Sequence, residues 1–184
     1  MRLAGKRETA DLVNVFLDRP RGEPLYGFTN RCLIAPPNDD RRTYGWHQEV
    51  FYTVPDSRFI QTWAPLVTDT TAENGTIEVC VGSHAEGVAV QSWHDEPDRA
   101  RQIIVDPSVV AKYEQRVVPM KLGQMMFFDG HLFHRSGRNT SKETRYSLVG
   151  IYHDVDAPGF RVPSLTFNYR GKTPREAFDR FSGR

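Results

Sequence analysis

Turn residues cut this chain into short pieces, and that punctuation constrains its fold more than any other feature. Pro36-Pro37-Asn38-Asp39-Asp40, Pro55-Asp56, Glu73-Asn74-Gly75, Gly82-Ser83, Leu122-Gly123, Asp129-Gly130 and Gly137-Arg138-Asn139-Thr140-Ser141 each supply residues that tight turns need. Between them lie runs rich in β-branched and aromatic residues. Thr76 to Val81 is the clearest, with Ile77, Val79 and Val81 at every second position. Leu25–Ile34, His47–Thr53, Arg58–Val67, Gln115–Lys121, Gln124–Phe128 and Arg145–His153 read as further strands. Helical spacing is confined to Thr9–Asp18, where Leu12, Val13, Phe16 and Leu17 share a face, to a turn or two at 108–114, and to a polar stretch at 174–181 that follows a strand-like piece at 164–169. Many short strands with little helix argue for an all-β sandwich or barrel, one domain over residues 1–184.

Composition removes several function classes. Lys and Arg number 24 against 23 Asp and Glu, and no long run of either sign occurs, so nothing favours nucleic acid or an anionic membrane surface. No apolar stretch is long enough to span a bilayer, and no signal-peptide core follows Met1. Cys32 and Cys80 are too few for a disulfide framework; both sit in strand-like runs and read as buried thiols of a soluble, reduced, cytoplasmic protein. There is no Gly-rich phosphate loop and no internal repeat.

The chemistry concentrates in Trp46-His47-Gln48-Glu49. On an extended chain His47 and Glu49 point the same way and Gln48 the other. An imidazole and a carboxylate need a third ligand from elsewhere, and His134, in Gly130-His131-Leu132-Phe133-His134, is the candidate. Two histidines and one carboxylate with the remaining positions open form the facial triad of non-heme Fe(II) oxygenases. If residues 131–134 are extended, His131 and His134 face opposite ways and only one of them can be a ligand. Farther on, Arg145 and Ser147 share a strand face and suit a carboxylate, by ion pair and hydroxyl hydrogen bond. The other histidines lack partners at ligand spacing: His84 reads as turn chemistry, His94 and His153 as surface or edge residues, and Met125-Met126-Phe127-Phe128 as core.

With these residues in view, the sequence resembles the phytanoyl-CoA dioxygenase family of Fe(II)/2-oxoglutarate oxygenases. The resemblance spans about residues 44–152. It is carried by Trp46-His47-Gln48-Glu49, by Gln61-Thr62-Trp63-Ala64-Pro65-Leu66, by Glu73-Asn74-Gly75-Thr76 leading to Val81-Gly82-Ser83-His84, and by Leu122-Gly123-Gln124 through His134-Arg135-Ser136-Gly137-Arg138-Asn139-Thr140-Ser141 to Arg145. It implies a double-stranded β-helix, the cupin-like jelly roll. It implies His47, Glu49 and His134 as iron ligands and Arg145 with Ser147 as the anchor of 2-oxoglutarate. Gln61 and Trp63 would line the co-substrate pocket, and Asn74 and Thr76 would add to it. The implied reaction consumes O2 and 2-oxoglutarate, hydroxylates a small molecule, and releases succinate and CO2.

Two departures from the family pattern stand out. Glu49 occupies a position where the family usually has Asp, one methylene shorter; a carboxylate there argues against a halogenase, which needs room for halide. Only 46 residues precede His47, fewer than relatives carry, so the N-terminal helical part is expected to be shortened, in a minimal member or a gene fragment. Residues 85–107 read as a lid, with Trp93, His94, Arg99 and Arg101 as substrate readers whose arginines suit a polar or anionic small molecule. Two other readings share the fold: a cupin-like metal-dependent isomerase, which would not need Arg145 and Ser147, and an inactive relative that binds ligand without turnover.

Overall fold

The computed structural model describes residues 5–53, 57–95, 97, 101–158 and 160. The turn at Pro55-Asp56, the strand expected at 164–169, the helix expected at 174–181 and the lid residue Arg99 lie outside them. In chain order the elements are helix α1 (Arg7–Phe16), strands β1 (Leu25–Ala35), β2 (Phe59–Pro65), β3 (Ile77–Cys80), β4 (Gln91–His94) and β5 (Gln102–Val105), helix α2 (Pro107–Val110), and strands β6 (Gln115–Val117), β7 (Met126–Asp129), β8 (His134–Ser136) and β9 (Arg145–Asp154). No helix among the described residues is long and apolar enough to cross a membrane.

The strands form antiparallel sheets, one ordered β1-β9-β2-β7 and one ordered β6-β3-β8, with β4 and β5 as a separate ribbon. The two larger sheets face each other in the expected jelly-roll manner. Strand alternation explains what fills the space between them. On β2 every residue is buried, because both of its edges and both of its faces are covered. Trp63 points inward and packs with Ile77 and Val79 of β3, Phe128 of β7 and Val149 of β9. Ile60 points outward and meets Tyr152 of β9 and Val13 and Leu17 from the α1 segment. Of the four apolar residues expected on the core face, Val13 and Leu17 are buried, whereas Leu12 and Phe16 are 43% and 54% exposed, although the Phe16 ring stacks on Phe127 at 5.4 Å.

Other expectations shift. The stretch from His47 to Thr53 is not a strand: His47 makes one isolated bridge, and Glu49–Phe51 is a 3-10 turn. The expected lid at 85–107 contains a hairpin, β4 paired with β5. Cys80 is buried, and burial pushes its thiol up to about 11. Cys32 is exposed, because β1 is an edge strand bonded only to β9.

His153, expected at the surface or a strand edge, has no exposed surface at all. Its ring nitrogens meet Thr53 Oγ1 at 2.6 Å and Ser57 Oγ at 2.8 Å, and Phe59 lies against it at 4.9 Å. Two hydroxyls can satisfy a neutral imidazole, one donating and one accepting. Burial disfavours the charged ring and lowers its pKa to about 4. A ring that titrates lower in the folded state than in the unfolded chain makes the protein most stable above about pH 6.5, with the advantage lost as pH falls toward 4. We expect a His153→Gln variant to show a flatter pH dependence of unfolding free energy across that window, by about 3 kcal/mol at most. Denaturant titrations of both proteins at pH 4.5 and 7 check this; parallel pH curves would contradict it.

Candidate metal centre

Backbone hydrogen bonds bring the two histidines together. His47 N–H donates to the His134 carbonyl and His134 N–H to the His47 carbonyl, both at 3.1 Å. A reciprocal antiparallel pair places both side chains on the same face of the ladder. The imidazole centroids are accordingly 4.3 Å apart. Gln48 is extended, at φ −109° and ψ 143°, so Glu49 returns to the face of His47 before the 3-10 turn begins. Glu49 N–H then donates to the Gly130 carbonyl, fixing the carboxylate to the loop that leads into His134.

His47, Glu49 and His134 offer one ligand atom each, all within 4.8 Å of one another, and together could hold a metal ion. Glu49 Oε2 lies 3.9 Å from His47 Nε2 and 3.8 Å from His134 Nε2. The tautomers suit coordination. Nδ1 of His47 is 2.8 Å from the Gly45 carbonyl, and Nδ1 of His134 is 2.9 Å from the Leu132 carbonyl. A carbonyl only accepts, so each Nδ1 carries the hydrogen and each Nε2 presents its lone pair to the trio. Burial lowers the pKa of His47 despite the opposing pull of Glu49. Burial, reinforced by His47, takes His134 well below the ordinary imidazole range. Both rings are therefore neutral ligands at neutral pH, with no need to lose a proton before binding a cation. Gln61 Nε2 donates to Glu49 Oε2 at 3.1 Å and sits 3.4 Å from His134 Nε2.

The trio opens into a cavity of about 350 Å³ whose walls include Gln61, Trp63, Ile77, Arg145 and Val149. Arg145 is 3% exposed, its guanidinium 5.6 Å from the Trp63 ring centroid. Burial without a charge partner lowers its pKa to about 10, so it remains a cation. Six buried side-chain polar atoms among the described residues lack a hydrogen-bond partner; five of them belong to Gln61 (Oε1), Trp63 (Nε1), Arg145 (Nε and Nη1) and Ser147 (Oγ). Buried polar groups are ordinarily paired, so this concentration, four donors and the Gln61 carbonyl oxygen, marks a place shaped for a polar occupant rich in acceptors. His47, Glu49, Gln61, Trp63, His134 and Arg145 thus share one cavity, with Ser147 fully buried two residues along from Arg145.

Asn74 and Thr76 are not brought to the cavity. Asn74 closes its own turn, accepting from Thr71 N–H at 2.8 Å and donating to the Asp69 carbonyl at 2.9 Å. Thr76 is buried with its hydroxyl donating to the Val118 carbonyl at 2.7 Å. Gly75, between them, has φ +76°, and a Cβ there would lie 2.4 Å from the Gly137 carbonyl, so the motif is held by turn geometry. The expected lid also does other work. None of the described residues of 85–107 is among those lining the cavity. They brace the metal loop from behind: Gln102 Oε1 accepts from Gly45 N–H at 2.6 Å, and Val105 N–H donates to the Trp46 carbonyl at 2.8 Å. Residues of β1 and the segment after it line the cavity instead, among them Arg31, Leu33, Asp39, Thr43 and Tyr44, with Arg31 exposed at its rim. The sequence signal for Arg31 was a charge at alternate spacing with Leu33 and Ala35, on the core face of a strand. His131, the rival of His134, sits outside the trio and pairs with Asp129 at 2.9 Å.

Solved structures with this fold place the site in context. EvdO2 from Micromonospora carbonacea var. aurantiaca, complexed with 2-oxoglutarate, superposes with a TM-score of 0.65 at 23% identity, over 83% of this chain and 62% of that one. EctD from S. alaskensis with bound Fe gives 0.65 at 20%, over 87% and 54%. The epimerase SnoN, in complex with Fe3+, alpha ketoglutarate and nogalamycin RO, gives 0.66 at 20%, over 94% and 66%. The chain spans about two thirds or less of the length of each, and at these identities the likeness establishes the jelly-roll fold. The family model for phytanoyl-CoA dioxygenase matches residues 7–147, well over half of the sequence, and the chain belongs to that family.

Proposed function

We propose that this chain is a non-heme Fe(II)- and 2-oxoglutarate-dependent dioxygenase that hydroxylates a small molecule with release of succinate and CO2. One observation carries the reading: the same cavity contains a two-histidine, one-carboxylate donor set and, on its wall, a buried arginine with unpartnered nitrogens. A metal-dependent isomerase that takes no 2-oxoglutarate would have no use for that arginine. Relatives in fold have been crystallised with iron or 2-oxoglutarate, which supports both as cofactors here.

In this reading His47, Glu49 and His134 hold Fe(II), which supplies activation of O2 coupled to oxidative decarboxylation of 2-oxoglutarate. The Gly45 and Leu132 carbonyls fix both imidazoles as Nε2 ligands. Arg145 and Ser147 hold the distal carboxylate of the co-substrate, and Trp63 and Gln61 contribute their free Nε1 and Oε1 to the same pocket. Trp63, Ile77 and Val149 form the apolar wall that limits water around the reacting groups. Ser147 and Arg145 act by orientation alone; no proton need move at either.

Two outcomes test the assignment. Anaerobic Fe(II), or redox-inert Mn(II), should stabilise the wild-type chain by about 3 kcal/mol at free metal a hundredfold above Kd, and so raise its thermal midpoint. His134→Ala should show no such rise in differential scanning fluorimetry; an equal rise in the variant contradicts the ligand set. Separately, Arg145→Met should weaken 2-oxoglutarate binding to the metal-loaded protein about 100-fold or more by calorimetry and end succinate release in a metabolite-extract screen. The same variant should be as stable as the wild type or more so without 2-oxoglutarate, by up to about 3 kcal/mol, since it removes an unpaired buried charge. Retained succinate release in Arg145→Met would exclude the reading. Mass spectrometry of the product separates hydroxylation, which adds one oxygen atom, from epimerisation, which adds none.

A further inference from the structure

We propose that Arg31 is the substrate-reading cation of this site, and that the small molecule oxidised here carries a carboxylate near the carbon that reacts. The proposal deepens the oxygenase reading and rests on it. Register places Arg31 opposite Val149, Leu33 opposite Ser147 and Ala35 opposite Arg145, so these three β1 residues share the cavity face of the main sheet. Arg31 and Arg145 therefore stand about 13 Å apart along the strand direction. They differ in setting. Arg145 is buried, whereas the Arg31 side chain is 55% exposed at the mouth, level with the trio. Its one ion-pair contact among the described residues is Glu49 Oε1 at 3.8 Å, too long for a hydrogen bond.

Charge accounting leaves Arg31 over. The other charged groups at the mouth are matched: Asp39 with Arg41 at 2.6 Å, and Arg135 with Glu78 at 2.7 Å. A divalent ion bound by the trio is half cancelled by Glu49. The two carboxylates of 2-oxoglutarate cancel the other half and Arg145. In the loaded site Glu49 is committed to the metal, and Arg31 is then the one cation of the cavity wall without a counter-charge among the described residues. A half-exposed guanidinium on the cavity wall, 3.8 Å from a candidate ligand, suits a substrate carboxylate, which it can take in bidentate fashion. This moves substrate recognition away from the 85–107 segment and onto β1.

The test uses the full chain loaded with Zn(II) and 2-oxoglutarate, so that nothing turns over. Matched acid and amide probes, from acetate and acetamide to phenylacetate and phenylacetamide, are titrated by calorimetry at fixed ionic strength. We expect the wild type to bind the best-fitting acid about tenfold or more tightly than its amide. Arg31→Gln should erase that preference, Arg31→Lys should keep part of it, and Arg58→Gln, a cation on the exposed surface paired with Asp18, should leave it intact. Equal acid and amide affinity in the wild type, or a preference that survives in Arg31→Gln, overturns the proposal. So does an Arg31→Gln variant that loses affinity for 2-oxoglutarate while keeping the acid preference, because Arg31 would then serve the co-substrate. Failure of Zn(II) or 2-oxoglutarate to bind the wild type is read separately and strikes the oxygenase assignment. In that event the same probe pairs on the metal-free protein still decide whether Arg31 selects an anion.

Discussion

Two reciprocal hydrogen bonds between His47 and His134 hold the candidate site together. They join residues 87 positions apart in the chain, and neither bond belongs to a named strand pair. Everything that could bind a metal depends on that register. A slip of one residue would turn one imidazole to the opposite face of the sheet. The bridge is defended on both sides. His134 opens β8, which pairs with β3 through Val79, a core residue. His47 is followed by Gln48, whose fully buried side chain donates to the Gly87 and His131 carbonyls and accepts from Ala89 N–H and the Gln91 amide. The residue between two candidate ligands thus points backwards and ties the metal loop to the segments behind it. Alternation explains the arrangement: the chain that aims His47 and Glu49 into the cavity must aim Gln48 out of it.

Much of this was legible in the sequence because it follows from period two. The same rule that places His47 with Glu49 places Arg145 with Ser147, and Ile77 with Val79. Strand position was correct where apolar alternation met a strong turn residue, as after Gly75, whereas the strand expected at 115–121 forms only over Gln115–Val117. The rule failed where geometry is set by distant partners. Glu49–Phe51 leaves the strand for a 3-10 turn that hydrophobic pattern does not encode. Cys32 reads as a core thiol until β1 is known to be an edge. His153 reads as ordinary until Ser57 and Thr53 close over it from a segment about 100 residues earlier. Asn74 and Thr76 show a different limit. Their motif is held by turn closure and core hydrogen bonding, so its presence in a resemblance says nothing about proximity to a ligand.

Arg145 shows a conflict between stability and function. A guanidinium 3% exposed, with two nitrogens unpartnered, is costly to bury. Hydrophobic residues of similar size would pack against Trp63 at lower cost. The fold tolerates the charge because β9 is held on both sides, by β1 and β2, across most of its length. The cost recurs as binding energy when an anion arrives, since the desolvation has already occurred in the free protein. That is preorganisation in a plain physical sense, and it is what the proposed function would ask of a site that takes a dicarboxylate beside a metal.

The longer carboxylate of Glu49 fits the same logic. A glutamate needs more room between its backbone and the metal position than an aspartate does. Here the chain turns away at Glu49, whose N–H is anchored to the Gly130 carbonyl, and the carboxylate still reaches points 3.8 and 3.9 Å from the two imidazole nitrogens. Gln61, from β2, then meets Oε2 at 3.1 Å and limits where the extra methylene can take the carboxylate. The position of the Glu49 carboxylate is therefore set from two directions, by the backbone bond to Gly130 and by the Gln61 amide. Backbone anchors, more than side-chain length, decide where the third ligand ends.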